Sequence, residues 1–333
     1  MVRDTEPSIV VGLSAVIGPV TEDQPRVLTV HRAEHALFPE DLRRQRDTGD
    51  PLPALPFGPL DPEGDRTLEL GLHGWVRKQT GLELGYVEQL YTFGDRFRDP
   101  NLPSAAPRVV SVAYLALVHE GSVAGAGDAR WRDFYEFLPW EDWRKGRPGL
   151  IDGSIIPALT AWVQAGTDST TRVRRRERAD IAFGQRGAPW DPDRVLDRYE
   201  LLFEAGVAGN TGARPGVATL GCPMALDHRR ILATALGRLR GKIRYRPVVF
   251  ELLPESFTLF ALQRTVEALA GTRLHKQNFR RLVENGGLVE GTGRISTRTG
   301  GRPAELFRFR RDVLRERLAP GVGRPGARGG PVS

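Results

Sequence analysis

Apolar positions along the chain change period several times, and each change marks an element. Residues 9–17 (IVVGLSAVI) and 26–30 (RVLTV) are β-branched and apolar, with turn chemistry (PVTEDQP) between them, so the chain opens as strand, turn, strand. Residues 47–65 hold five prolines and three glycines, which predicts a loop. From Thr67 to Gln79 the apolar positions fall at Leu68, Leu72, Trp75 and Val76, one face of a helix with Gly81 as its C-cap. Residues 87–93 and 109–118 read as strands, the second so uniformly apolar that it belongs in the middle of a sheet. Residues 119–215 are less regular. They contain five of the six tryptophans, short helix candidates at 155–165 and 193–204, and a glycine-rich joint at 206–216. Strands alternating with helices up to this point indicate an α/β or α+β domain.

A different texture starts at Ala225. Leu226, Ile231, Leu232, Ala235, Leu236, Leu239 and Ile243 mark one face of a helix over roughly 226–244. Thr258 is a good N-cap for a helix through Ala270 that Gly271 ends. A second helix runs from about His275 to Asn285 and stops at Gly286-Gly287. Residues 288–290 and 306–309 are short strands around GTGRISTRTGGRPAE, a glycine- and arginine-rich hairpin. Helix, turn, helix and basic hairpin is the order of a winged helix-turn-helix. The last stretch, PGVGRPGARGGPVS, has no apolar pattern and is expected to be disordered.

Charge sharpens this division. The 333-residue chain carries a formal net +7, but residues 1–225 hold 26 Lys+Arg against 32 Asp+Glu, whereas residues 226–333 hold 22 against 9. A basic third on an acidic body is the footprint of a polyanion-binding module. No run approaches the ~18 apolar residues of a membrane helix. The N-terminus lacks a basic stretch ahead of its apolar one, so a cytoplasmic protein is expected rather than a secreted one. The single cysteine, Cys222, excludes an internal disulfide framework and a multi-cysteine zinc site.

The clearest chemistry lies in HKQNFRRLVENGG. Phe279, Leu282 and Val283 share a helical face and anchor it. Lys276, Gln277, Arg280 and Arg281 then project outward, and Gln277, Asn278, Arg280 and Arg281 are the candidate base readers, since Gln and Asn suit adenine edges and Arg suits guanine. Arg294, Arg298 and Arg302 on the hairpin fit phosphate or minor-groove contacts. The bland alternative is a solvated helix face beside a loop that is basic by composition.

LPESFTLFALQRTVEALAGTRLHKQNFRRLVENGGLVEGTG, followed by GGRPAELFRF, resembles the winged-helix domain of the Nudix-related transcriptional regulators of NAD metabolism. ALDHRRILATALGRLRGKIRY resembles that family's connecting helix, and VEQLYTFGDRFRDP and VVSVAYLALV resemble the strands after its Nudix helix. The likeness spans roughly 9–118 and 225–310, and residues 119–215 match nothing in it. It implies an α+β chain: a Nudix-like mixed-sheet effector domain over 1–215, a connecting helix over 225–245, a winged helix over 246–317 and a tail over 318–333. It also implies repression of NAD biosynthesis or salvage genes at a double-stranded DNA operator. The effector it implies is NAD, ATP or ADP-ribose, with no cofactor.

Nudix hydrolases hold Mg²⁺ or Mn²⁺ on a helix with an RE-x-x-EE cluster, because hard cations need oxygen donors. Aligned on Thr80-Gly81-Leu82, the three glutamates fall on Trp75, Lys78 and Gln79, and no acid lies between Glu69 and Glu83. A catalytically dead sensor is therefore expected, with no catalytic or metal-binding residue. Tyr91, Phe93 and Tyr114 are candidates for stacking on the effector, and Arg96, Arg98 and Arg108 for its pyrophosphate. The alternative is ordinary core for the aromatics and pairing of the arginines with Asp95 and Asp99. A divergent hydrolase with a relocated metal site is the rival function; an RNA-binding module is disfavoured because interleaved aromatics are missing. A homodimer on a palindrome is expected, with helix 226–244 either in the interface or packed within one subunit. His31 and His35, Arg174–Arg176, Gly125 and Gly127, Cys222 and the tryptophans read as surface, turn or core.

Overall fold

A computed structural model describes residues 9–31 (except 19 and 22), 52–95 (except 86), 108–118, 123, 128–208, 220–297, 303–316 and 321. The elements of the first part are β1 (Ile9–Gly18), β2 (Val20–Thr21), β3 (Gln24–Thr29), β4 (Phe57–Pro59), α1 (Leu68–Thr80), β5 (Val87–Phe93), β6 (Arg108–Leu117) and β7 (Arg130–Asp133). Then come α2 (Phe134–Phe137), α3 (Ile156–Gln164), α4 (Ser169–Phe183), α5 (Val195–Glu204) and α6 (His228–Tyr245). The last part comprises α7 (Leu259–Ala270), α8 (Lys276–Asn285), β8 (Val289–Ser296), β9 (Ala304–Phe309) and the short α9 (Val313–Glu316).

The near-continuous apolar runs of β1 and β6 follow from burial on both faces. They pair in parallel from Ile9↔Arg108 to Gly18↔Leu117, inside a mixed sheet of order β4-β1-β6-β5. The expected opening of strand, turn, strand spans two sheets rather than one. After Gly18 the chain leaves the first sheet, and β2 and β3 form a tight hairpin over Asp23 (φ 66°), with β7 on the far side of β3. Helix α1 begins and ends as its sequence predicts. Thr67 Oγ1 accepts the Leu70 N–H at 3.1 Å, and Gly81 closes the helix at φ 74°. Its Leu72 and Val76 bury against Leu13, Ile17 and Tyr114.

Residues 134–204 contain more helix than their sequence suggests. Helix α4 contains RVRRRER and buries only Ala179, Ala182 and Phe183. With so little apolar stripe, polar contacts hold it. Asp168 caps it, Arg178 grips Glu204 with two 2.7 Å hydrogen bonds, and Arg175 donates to the Trp162 carbonyl at 2.7 Å while lying over that ring.

Helix α6 is a core element. Ile231, Leu232, Ala235, Leu236, Leu239 and Ile243 are buried, and the helix packs on α5, α7, β5 and β1 of its own chain. Of the two places open to this helix, the structure has its apolar face packed within one subunit. A second stripe of α6, carrying Arg230, Arg238 and Lys242, runs along the edge strand β5. Arg230 pairs with Asp95 (2.9 Å) and Glu200, Arg238 donates to the Leu90 carbonyl at 3.4 Å, and Lys242 pairs with Glu88. The stripe covers an edge that would otherwise expose unpaired backbone.

Three buried charges join these parts. Glu141 Oε1 accepts from Arg198 Nε at 2.6 Å, and its Oε2 accepts from Arg240 Nη1 at 2.6 Å. Arg198 belongs to α5 and Arg240 to α6, and Arg240 also donates to the carbonyls of Leu269 (3.1 Å) at the end of α7 and Pro192 (3.0 Å). The turn after α7 sits on the same region: Trp143 N–H donates to the Gly271 carbonyl at 2.7 Å, and the Tyr135 hydroxyl to that of Ala268 at 2.7 Å. Gly271 has φ 68°, and a Cβ there would stand 2.4 Å from the Glu141 carbonyl oxygen, so both backbone and contact require glycine. One apolar cluster runs without a break from Val16 and Val27 through Trp140 and Leu236 to Leu262, Val283 and Val313, across the expected domain borders.

Burial alone would raise the Glu141 pKa, but the two guanidinium groups overcome it and hold the carboxyl below its usual range. The triad therefore stabilises the fold fully above the ~4.3 of an unfolded glutamate. Its contribution is lost as pH falls through the lower, folded value. Glu141→Gln leaves two buried cations without their anion and should cost ~3–5 kcal/mol at pH 7. In urea melts at pH 7 and 4, the difference between wild type and variant should narrow at the lower pH; a difference of under about 1 kcal/mol at pH 7 would contradict the triad's role.

Candidate nucleic-acid interface and effector site

Helix α8 is short and strongly two-sided. Phe279 and Val283 are buried, whereas Lys276, Gln277, Asn278, Arg280 and Arg281 are all exposed. Leu282 does not anchor the helix as expected; it is 38% exposed. At 100° per residue it lies 100° away from Val283 and so falls on the rim of the buried face. Arg280 is not free either: its Nε donates to Glu284 Oε1 at 2.7 Å. The helix follows α7, which Thr258 caps by accepting the Ala261 N–H at 3.1 Å.

Behind α8, β8 and β9 pair antiparallel from Val289↔Phe309 to Ser296↔Ala304, with a register shift between Gly291 and Ile295. A bridge between Phe257 and Phe307, and stacking of Phe250 on Phe309 at 4.4 Å, tie the hairpin to the helices. Arg294 is exposed on β8. Arg298 and Arg302 lie outside the described residues. Glu290, which sequence places nearest to Arg294, pairs instead with Arg308 at 2.7 Å.

Each of the three positions expected to replace the Nudix glutamates makes a contact of its own. Trp75 Nε1 donates to the Pro59 carbonyl at 2.8 Å, and its indole lies so close to Gly58 that a Cβ there would meet the ring at 2.1 Å. The Lys78 ammonium sits 4.9 Å from the centre of that same ring. Gln79 is buried, accepting the Phe57 N–H at 3.0 Å and donating to the Phe57 carbonyl at 2.7 Å. An indole, an ammonium and a buried amide bonded to the Phe57 backbone do not fit a hard divalent cation, which needs free oxygen donors. Among the described residues, no group of three or more His, Cys, Asp or Glu is placed to hold a metal ion.

The sheet divides the expected stacking residues. Tyr91 is 62% exposed and meets Phe93 edge to face, with centroids 5.4 Å apart. Phe93 packs into the main core. Tyr114 lies on the other side, buried beneath α1, where burial and then the Glu69 carboxylate raise its pKa. The cause is register: β6 pairs Tyr114 with Gln89, and an irregularity between Gln89 and Tyr91 sets Tyr91 opposite Ala113. Tyr91 and Phe93 therefore form one cluster and Tyr114 belongs to another. Arg108 is exposed at the start of β6 and donates to the Gly94 carbonyl at 2.8 Å. Arg96 and Arg98 lie outside the described residues, and Asp95, their alternative partner, pairs with Arg230.

Secondary candidates fall where packing puts them. The Nδ1 of His31 lies 3.4 Å from the Asp128 carbonyl, while His35, Gly125 and Gly127 are outside the described residues. Arg174–Arg176 lie on α4, Cys222 accepts from Arg132 at 3.4 Å, and Trp140 is fully buried core. No helix among the described residues is long and apolar enough to cross a membrane. Sequence reasoning passed over Glu284, which lies seven residues after Gln277 on the exposed side of α8; that spacing was the available signal.

Residues 249–309 match the NrtR DNA-binding winged helix domain family. The ADPR responsive transcriptional repressor NtrR of Acinetobacter baylyi is 42% identical over 86 residues, which are 26% of this chain and 34% of the relative. The matched part thus spans about a third of that curated relative's length. Among solved structures, Shewanella oneidensis NrtR in complex with a 27mer DNA is similar at TM-score 0.54 and 23% identity, covering 92% of this chain and 95% of that one. A MutT/nudix family protein from Enterococcus faecalis is similar at TM-score 0.51 and 17% identity, covering 93% and 89%. The chain therefore has the fold of these proteins, an α+β arrangement of a Nudix-like domain followed by a winged-helix domain that matches the NrtR DNA-binding winged helix.

Proposed function

We propose that this protein is a DNA-binding transcriptional repressor that senses an adenine nucleotide through its Nudix-like domain and does not hydrolyse it. ADP-ribose is the first candidate effector, named in the Acinetobacter relative, with NAD and ATP behind it. Genes of NAD biosynthesis or salvage are the proposed targets. One observation carries the reading: α8 presents exposed Lys276, Gln277, Asn278, Arg280 and Arg281 on a helix anchored by Phe279 and Val283, inside a domain that matches a DNA-binding family. The engaged Trp75, Lys78 and Gln79 support binding without the metal-dependent reaction. Exposed Tyr91 and Arg108, with Arg96 and Arg98, remain the proposed effector contacts. Two copies on a palindromic operator supply the second half-site, since a single winged helix reads only a few base pairs.

Anisotropy titrations of full-length protein on a duplex selected from a random pool test this directly. ADP-ribose should shift the DNA dissociation constant, and DNA should shift ADP-ribose affinity by the same factor, because coupling is reciprocal. No shift with ADP-ribose, NAD or ATP contradicts the sensor. Incubation with Mg²⁺ and ADP-ribose should release no AMP; turnover abolished by mutating an acid elsewhere in the Nudix-like domain contradicts the inactive reading. Gln277→Ala and Arg281→Ala should weaken binding to the selected duplex by ~1–3 kcal/mol more than to random duplex. Arg294→Ala, a proposed phosphate contact, should weaken both alike and flatten the salt dependence.

A further inference from the structure

Glu284 stands among the proposed readers. At 100° per residue, the buried direction of α8 lies between Phe279 and Val283. Gln277, Arg280, Arg281 and Glu284 follow one another at i, i+3, i+4 and i+7 on the exposed side. Reading helices docked in a major groove use that spacing for their base contacts. The carboxylate is 42% exposed and holds Arg280 by its Nε at 2.7 Å.

Local physics argues against a purely structural role. Arg placed N-terminal to Glu at i,i+4 is the weaker order for a helix-stabilising pair. An acid in the last turn faces the negative end of the helix dipole. A carboxylate on a face turned toward phosphates subtracts from the attraction that drives sequence-independent binding. A residue that runs against two local preferences, and against the electrostatics of a DNA-facing helix as well, is the kind of violation that function accounts for.

We infer that Glu284 is a specificity-determining residue of α8, acting as a positioning group for Arg280. A carboxylate on Nε leaves the two terminal nitrogens of the guanidinium as a fixed fork, the geometry that meets O6 and N7 of guanine. The same charge disfavours DNA that offers phosphates alone, which is discrimination by repulsion. This rests on α8 being the reading helix.

Selection of full-length wild type, Glu284→Ala, Glu284→Gln and Arg280→Ala against a random duplex pool, followed by titration on selected and random duplexes, tests it. Wild type should fix a guanine in each half-site. Arg280→Ala and Glu284→Ala should both lose that base and keep the remaining consensus. Glu284→Ala should bind random duplex more tightly, and its ratio of selected to random affinity should fall about five-fold or more, the lower end for one bidentate base contact. Glu284→Gln retains an acceptor for Nε and should keep the guanine while binding random duplex more tightly. Thermal unfolding should be unchanged or slightly raised in both Glu284 variants. An unaltered consensus and ratio in Glu284→Ala overturns the inference and leaves the reading of α8 intact. A wild type that selects no consensus overturns both.

Discussion

The constraint on which the rest depends is the buried pairing of Glu141 with Arg198 and Arg240. Three charges without solvent are expensive, and one carboxylate cannot neutralise two guanidinium groups. Backbone carbonyls take the remaining donors: Ala182 and Asp191 for Arg198, Pro192 and Leu269 for Arg240. Because those carbonyls belong to several segments, the charges are satisfied only when α5, α6, the end of α7 and the loop holding Glu141 are all in place. Arg229 works similarly nearby, donating to the carbonyls of Phe137, Ala208 and Leu220 beside the rings of Trp140 and Tyr199. Burial pushes its pKa down to about 10, so it is still charged at neutral pH.

This arrangement gives residues 134–204 a role. They form the seat on which the turn between α7 and α8 rests, through Trp143, Tyr135 and the close approach at Gly271. The orientation of the proposed reading helix is thereby set by the body of the protein rather than by a linker. The opposite stripe of α6 grips β5, the strand that carries Tyr91 and Phe93. A change of position at that strand meets α6 first, and α6 holds the end of α7 through Arg240. Contiguity of this kind is a physical route for coupling the two domains.

Much of the fold was legible where local chemistry decides it. Thr67 with Gly81 and Thr258 with Gly271 bracket α1 and α7 because a cap oxygen and a left-handed glycine are local requirements. The uniformly apolar run of β6 announced a central strand, because a strand covered on both faces takes apolar residues throughout. What sequence did not reveal depends on partners far along the chain. Tyr114 and Tyr91 part company because of a register irregularity, which no strand pattern contains. Helix α4 has almost no apolar stripe and is held by Glu204 and Trp162. Helix α6 has a strongly apolar face that suits a dimer as well as a core, and only the packing of α5, β1, β5 and α7 around it decides. Glu141, in a short PWED stretch, gives no sign in sequence that two distant arginines converge on it.

Hydrogen exchange of the full-length protein with and without its selected DNA tests most directly whether the body of the protein seats the winged helix. Amides of α8 should gain protection on contact with DNA in any account. If Glu141 and its partners lock the turn to the body, protection should also rise in residues 134–144 and in α5 and α6, because opening there requires breaking the triad. Protection confined to residues 259–296, with 134–144 and α6 exchanging as in the free protein, would contradict it.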